Sequence, residues 1–169
     1  MTLSAGTGSV LSMNNLDTAK FKEVVGHFVT GVVVVTAQSP QGLAGFTCQS
    51  FGSLSLEPTL VSFGASAASQ SWPKVRSSPT VGINILASDQ EDLARVFATS
   101  GVDKFEGVTW TPGIGGAPMI VGALAFLEGR VVAVSTHGDH DLVVVEVDQY
   151  EHFAGSPLVY YRGGYGFRD

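Results

Sequence analysis

Residues 124–150 read LAFLEGRVVAVSTHGDHDLVVVEVDQY, and this stretch decides the fold class. Two valine-rich runs, 124–135 and 142–150, stand on either side of a short polar segment that contains Gly138. β-branched residues suit the pleated surface of a sheet, and glycine beside aspartate is typical of a turn. The stretch therefore predicts two long strands joined by a polar turn.

Five further stretches have the composition of strands. In one of them Val81, Ile83 and Ile85 alternate with smaller or polar residues, which is the period of a half-buried strand. The turn sequence SPQG at 39–42 separates two of the stretches and predicts a hairpin. The five predicted strands are 32–37, 44–50, 60–64, 81–86 and 158–162.

Helix signals are few. Apolar residues at 21, 24, 25 and 28 predict a short amphipathic helix, with Asp17 or Thr18 as its cap. The capping-box pattern S-x-x-E at 88–91, followed by an apolar face, predicts a second helix. A third is predicted as a single turn around 69–75, where Pro73 fits only near a helix start.

Strands dominate this pattern and do not alternate regularly with helices. A doubly wound parallel sheet needs that alternation, so the pattern argues against one. We expect a mainly β protein with a few helices: an antiparallel barrel, closed or partly closed, with the helices packed outside it.

The composition excludes several classes of function. The chain has 169 residues, which suits one domain, and it carries nine Lys and Arg residues, a net charge of −6 and no basic cluster. The electrostatic attraction between basic residues and the phosphate backbone, which drives nucleic-acid binding, is therefore missing. No apolar run approaches the roughly 20 residues of a membrane span. Because mean hydropathy is +0.26 and only 14% of residues are charged, we expect apolar surface to be buried in a homo-oligomer.

The N-terminal residues and the cysteine content indicate the cellular compartment. Residues 1–16 have no basic segment and no long apolar run, so we expect a flexible lead rather than a signal peptide, followed by one domain over 17–169. The only cysteine, Cys48, cannot form an intrachain disulfide, and nothing suggests export. We therefore expect a cytoplasmic protein.

The polar turn STHGDHDL at 135–142 raises the question of a metal site. His137 and His140 are three residues apart, which places them on opposite faces of a strand unless a turn at Gly138 brings them together. Structural zinc sites usually use Cys ligands or more His, and this chain has one Cys and four His. We expect no metal, and a plain polar turn and a cofactor contact both stay open.

Two other stretches have residues that could bind a phosphate. PGIGGAP at 112–118 lacks the third glycine and the strand–helix context of a dinucleotide fingerprint, and is predicted to be a loop. The serines at 66, 69 and 71 either cap a helix start or hold a phosphate against it. Lys104 is either a solvated surface lysine or a point charge for that phosphate.

An ordered series of stretches runs from Phe21 to Tyr165: FKEVVGHFVTGVVVVTA, GFTCQSFGSLSLEPTLVSF, SWPKV, INIL, LARVFA, DKFEGVTW, GAPMIVGALAFLEGRV, GDH and PLVYYRGGY. In order and spacing the series resembles the short-chain flavin reductase family, the reductase components of two-component, flavin-diffusible monooxygenases. CQSF with SLEP looks closest to the reductase partner of a steroid-ring or phenol hydroxylase. The resemblance implies an FMN-binding split β-barrel homodimer with flavin in a groove at the subunit interface.

The resemblance also implies cofactor contacts. Beside the flavin it puts Thr30, Gly31, Val32 and Val33, and against the isoalloxazine and ribityl chain Thr47, Cys48, Gln49 and Ser50. Toward the phosphate it puts Ser66, Ser69 and Lys104. The nicotinamide-side motif matches Gly138, Asp139 and His140, and the C-terminal motif matches Tyr161, Arg162, Gly163, Gly164 and Tyr165. His140 is the catalytic candidate, expected to hold the nicotinamide over the flavin.

The implied activity is reduction of free FMN or FAD by NADH or NADPH, which supplies diffusible reduced flavin to a separate monooxygenase. Cys48-Gln49 stands where Ala-Asn is more usual, which leaves the choice of flavin open. Gly45 and Gly52 would allow close backbone approach to the flavin. We read His137 as structural. The alternative function is a flavin-binding split barrel without reductase turnover.

Overall fold

The computed structural model describes residues 16–166, which form three short helices and twelve strands. The helices are α1 (Thr18–Val25), α2 (Trp72–Arg76) and α3 (Glu91–Ala98). The strands are β1 (Thr30–Gly31), β2 (Val33–Ser39), β3 (Gly42–Cys48), β4 (Gly52–Ser55), β5 (Leu60–Ser66), β6 (Val81–Ile85), β7 (Trp110–Pro112), β8 (Pro118–Ile120), β9 (Ala125–His137), β10 (His140–His152), β11 (Val159–Tyr161) and β12 (Gly164–Tyr165). Apart from residue 16, the predicted N-terminal lead lies outside the described residues.

Seven strands form one antiparallel sheet in the order β3-β2-β6-β9-β10-β5-β4. The β9–β10 hairpin lies in its middle, and its strands pair from His137↔His140 to Ala125↔His152. Gly138 and Asp139 alone form the loop, and the φ of +62° at Gly138 is the positive value that a type II′ turn has at its first central residue. The two predicted long strands are confirmed, and the GDH motif caps their end.

The predicted class, mainly β with antiparallel pairing, is confirmed. All seven predicted strands are present, and their ends differ from the predicted ones by at most two residues. The hairpin at 39–42 is also present, with Ser39 paired to Gly42. The strands that the sequence did not predict, β1, β4, β7, β8 and β12, are two to four residues long, too short to show a hydrophobic period.

The three predicted helices are present, but one predicted cap is wrong. α1 is capped as expected, because the Asp17 carboxylate accepts hydrogen bonds from the backbone N–H groups of Ala19 and Lys20. The S-x-x-E capping box is not formed. Gln90 is the N-cap of α3, and the backbone N–H of Ser88 donates instead to the carbonyl of Ser156 at 2.9 Å.

The core lies on both faces of β2. Val33 and Val35 pack into a cluster with α2 and strands β3, β5, β6 and β10. Val32 and Val34 point the other way, into a second cluster under α3. α1, by contrast, has no buried residue, and its apolar side chains Phe21 and Val24 are 58% and 62% exposed.

Candidate functional site

A cavity of about 1370 Å³ opens beside the ends of β3 and β5. Its walls come from residues 43–50, 64–71 and 95–105, from the C-terminal hairpin around 160–165, and from His140. Ordinary small-molecule sites have volumes of roughly 300–1,000 Å³. The cavity is therefore large enough for more than one ring system at a time.

Most of the residues that the resemblance assigned to cofactor binding line this cavity. They come from five separate parts of the chain and meet only in the fold. The lining members are Thr47, Cys48, Gln49, Ser50, Ser66, Ser69, Lys104, His140, Gly163, Gly164 and Tyr165. Their contact with a cofactor stays a prediction.

Eight assigned residues do not line the cavity: Thr30, Gly31, Val32, Val33, Gly138, Asp139, Tyr161 and Arg162. The side chains of Val32 and Val33 are buried in the two core clusters, at 0% and 3% exposure, so they face other side chains of the core. Arg162 has a φ of +48° beside Gly163 at +82°, as in the type I′ turn of a tight hairpin. For these residues too, cofactor contact stays a prediction.

Hydroxyl groups bridge β3 and β5 at one wall. Ser50 Oγ accepts a hydrogen bond from the backbone N–H of Gly64 at 2.8 Å and lies 3.2 Å from the sulfur of Cys48. Burial raises the pKa of the Cys48 thiol above its usual range, which disfavours the nucleophilic thiolate. Thr47 Oγ1 donates to the carbonyl of Ala94 at 2.6 Å, which fastens α3 to β3.

Lys104 is not a solvated surface lysine. Its Nζ donates to the backbone carbonyls of Phe97 at 2.8 Å and Gly45 at 3.1 Å, and to Ser71 Oγ at 3.2 Å. All three acceptors are neutral, and burial lowers the pKa of the ammonium group. Because Ser71 Oγ accepts from Lys104, its own proton is available for an acceptor in the cavity.

The cavity is more positive than the chain around it. Lys74, Arg95 and Lys104 line it, with Asp103 as the carboxylate among the described lining residues. Arg95 is ion-paired with Glu91 and stacks on the ring of Tyr165, so Lys74 and Lys104 carry most of the cavity's positive charge. In a chain of net charge −6, such a cluster favours an anionic ligand.

His140 stands beside Ser66, its cross-strand partner in the β5–β10 pair. Its Nδ1 lies 2.8 Å from Asp139 Oδ1, and this hydrogen bond is the main reason that the pKa of Asp139 is below its usual range. Holding one ring nitrogen fixes the orientation of the imidazole and leaves Nε2 to face a ligand. Within residues 16–166 no cluster of three or more His, Cys, Asp or Glu side chains has the geometry for a metal ion.

Several lining residues were not identified from the sequence. They include Phe46, Lys74, Arg95, Phe97 and the segment 98–103. The Thr-Ser-Gly run that follows α3 was the available signal, since small polar residues at a helix end are typical of a binding loop. Gly45 also lines the cavity, but a Cβ there would lie 2.7 Å from Phe97 Cε1, so this glycine is needed for the packing of α3.

Comparison with known proteins agrees with this geometry. The family model described as "Flavin reductase like domain" matches residues 25–167. The HsaB reductase subunit of a flavin-dependent monooxygenase from Mycobacterium tuberculosis is 37% identical over 153 residues, covering 89% of this chain and 82% of the relative. The NADH-dependent FMN reductase SmoA of Agrobacterium fabrum is 37% identical over 146 residues, covering 86% and 83%.

A solved structure extends the comparison. The NADH:FAD oxidoreductase SgcE6 of Streptomyces globisporus superposes with a TM-score of 0.84 at 33% identity, covering 90% of this chain and 93% of that one, and was also solved with NAD and FAD fragments. None of the helices in the described part of the chain is long and apolar enough to cross a membrane. On the family match and these identities, the chain belongs to the flavin reductase like domain family.

Proposed function

We propose that this chain is an NAD(P)H-dependent flavin reductase that reduces free FMN or FAD and supplies the reduced flavin to a separate monooxygenase. The observation that carries the proposal is the cavity itself. One side of the cavity, which we call the positive wall, has Lys74, Lys104 and the serine hydroxyl groups of residues 66, 69 and 71. The cavity joins this wall to His140, whose ring is oriented by Asp139, in a volume of about 1370 Å³. The names of the relatives, which are reductases and reductase subunits, support the same activity.

The residues of the positive wall fit a flavin phosphate. Lys104 brings a charge that no carboxylate neutralises among its described contacts, and it leaves the Ser71 hydroxyl proton free to donate. Charge-assisted hydrogen bonds of this kind favour phosphate oxygens. Ser66 and Ser69 lie on the same segment and would contribute further hydroxyl groups.

The chain's own contribution to catalysis is alignment. When both are bound, the nicotinamide supplies a hydride and the flavin accepts it. Asp139 holds His140 in one orientation, and His140 would keep the nicotinamide against the flavin. Orientation alone can contribute roughly 7–11 kcal/mol in the best intramolecular cases, so no acid–base pair is required.

Anaerobic mixing of the protein with NADH or NADPH, and with FMN or FAD in separate runs, tests the proposal. Bleaching of the flavin absorbance over many turnovers per subunit would support it, and would rank both flavins and both donors. Flavin binding without bleaching by either donor would overturn it in favour of the alternative, a flavin-binding barrel that does not turn over.

We also infer that two copies form a split-barrel homodimer. An eight-residue helix is unstable alone in water. α1 and the turn after it leave Phe21, Val24, Val25 and Phe28 at 49–77% exposure, so a second copy would cover them. Light scattering should give twice the chain mass, and Val24→Asp should give a monomer. A wild-type monomer at micromolar concentration would refute the homodimer. The cytoplasmic location and the placement near the reductase partner of a steroid-ring or phenol hydroxylase stay predictions.

A further inference from the structure

A buried hydrogen bond joins the end of the β9–β10 hairpin to helix α2. The indole Nε1 of Trp72 donates to Asp141 Oδ2 at 2.8 Å. Trp72 is 4% exposed and Asp141 is 8% exposed, so both lie in the interior. We call this contact the Asp141–Trp72 link.

Each residue of the link is the chain neighbour of a cavity residue. Asp141 follows His140 on β10, and strand alternation turns it to the face opposite His140. Trp72 follows Ser71, which lines the positive wall. The link therefore runs behind the cavity and joins the start of α2 to the end of β10 without touching a ligand.

The carboxylate of Asp141 is well suited to this position. Its second oxygen accepts a hydrogen bond from Thr136 Oγ1 at 2.7 Å, and the half-exposed Arg76 lies 3.8 Å away. A buried carboxylate needs such donors to offset its lost hydration. An asparagine here could accept from Trp72 through its oxygen and donate to Thr136 Oγ1 through its amide nitrogen, so it would remove the charge without breaking the link.

The aromatic ring of Trp72 cannot easily turn away from Asp141. Phe46 and Phe63 pack edge-on against it, with ring centres 6.3 and 6.1 Å distant. A second tether lies nearby, because the backbone N–H of Ala67 donates to the carbonyl of Asp139 at 2.9 Å. The segment 66–72 is thus fastened to the hairpin end at both of its ends.

We propose that Asp141 and Trp72 are positioning residues, which fix the distance from His140 to Ser69 and Ser71. The β5–β10 ladder already pairs His140 with Ser66, but the chain leaves the sheet after Ser66, and the link holds the part that follows. This inference rests on the proposed flavin reductase function. If Ser69 and Ser71 hold the flavin phosphate and His140 holds the nicotinamide, loosening the link misaligns two rings that each still bind. The signature is a lower kcat with little change in flavin Kd.

Trp72→Phe tests the proposal, because phenylalanine keeps the packing and removes the N–H donor. Thr136→Val is the matched control: it removes the other donor from the same carboxylate but leaves α2 attached. We expect Trp72→Phe to lower kcat about tenfold, within the hundredfold that a displacement of roughly 1 Å can cause. The charge-transfer absorbance of the nicotinamide–flavin complex should weaken in parallel, and Thr136→Val should change neither.

A third measurement tests the Asp141–Trp72 link independently of the reductase activity. Amide hydrogen exchange at Ala67 should accelerate in Trp72→Phe and not in Thr136→Val, whether or not the protein reduces flavin. If Trp72→Phe does not fold, Asp141→Ala, which removes both acceptor oxygens, should give the same pattern relative to Thr136→Val. Equal changes of kcat in Trp72→Phe and Thr136→Val, or a kcat loss explained by a weaker flavin Kd, would overturn the proposal. Wild-type protein that binds flavin but never bleaches it would instead overturn the proposed reductase function. In that case the hydrogen-exchange rate at Ala67 would still show whether the Asp141–Trp72 link holds the segment 66–72.

Discussion

Replacing Gly45 with alanine tests how the cavity wall is held. A Cβ at this position would lie 2.7 Å from Phe97 Cε1 and 2.8 Å from the backbone carbonyl oxygen of Val35. The Phe97 side chain is fully buried on the inner face of α3, so its ring cannot swing into solvent. The Val35 carbonyl belongs to the sheet and cannot move away either. The alanine therefore has to push α3 away from β3.

The expected loss of stability follows from two opposing effects. Overpacking a core position destabilises by roughly 1–3 kcal/mol. Replacing a strand glycine with alanine recovers about 0.5–1 kcal/mol of that, since alanine loses less backbone freedom on folding. We expect a net loss of about 1–2 kcal/mol, which lowers the urea midpoint by roughly 0.5–1 M at an m value near 2 kcal/mol/M.

The same substitution should weaken flavin binding. Lys104 bonds the carbonyls of both Gly45 and Phe97, so a displaced α3 disturbs the position of its ammonium group. Fluorescence quenching of added FMN or FAD measures this effect. Gly52→Ala is the stability control, because nothing lies within 4 Å of its Cβ, and it should leave stability unchanged or slightly raised. Equal losses of stability in both variants, or a Gly45→Ala protein as stable as the wild type, would refute the packing argument.

Four further outcomes are expected. Lys104→Met should weaken flavin Kd about tenfold at low salt and less at high salt, measured by fluorescence titration, because the removed charge is screened. Hydrogen bonds, chiefly from Trp72, hold the pKa of Asp141 in the folded protein below its usual value. The Asp141 carboxylate therefore stabilises the fold fully at pH values above the usual pKa, and this stabilisation is lost as the pH falls through the lowered pKa. The stability gap between wild type and Trp72→Phe should accordingly narrow on acidification, as urea titrations at several pH values would show. Thr30→Val should leave apoprotein stability unchanged or higher, since Thr30 Oγ1 is buried with no partner among the described residues; a clear loss would point to a missed partner. Glu128→Ala should destabilise by roughly 2–4 kcal/mol in the same titrations, because the buried carboxylate accepts the backbone N–H groups of residues 115 and 117.

Sequence reasoning succeeded where structure is local. The β9–β10 hairpin follows from two valine-rich runs and a Gly-Asp loop, all within 27 residues of one another. The capping box at 88–91 failed because a distant carbonyl, that of Ser156, competes for the backbone N–H of Ser88 and holds it outside the helix. Val32 and Val33 were assigned to the flavin by resemblance; their side chains lie in the two core clusters, so only their backbone could meet the flavin, and that contact stays a prediction.

The candidate site was harder to predict because its polar groups are held by distant parts of the chain. Thr47 donates to a carbonyl 47 residues away, Lys104 to one 59 residues away, and Asp141 accepts from a side chain 69 residues away. No local sequence pattern encodes such pairs. The sequence therefore predicted several residues of the cavity wall but not the hydrogen bonds that hold them in place. Groups held in this way need little reorganisation when a ligand arrives. For a reaction whose chemistry belongs to two bound cofactors, that rigidity is what the protein can contribute, and it explains why no acid–base pair is needed to account for the site.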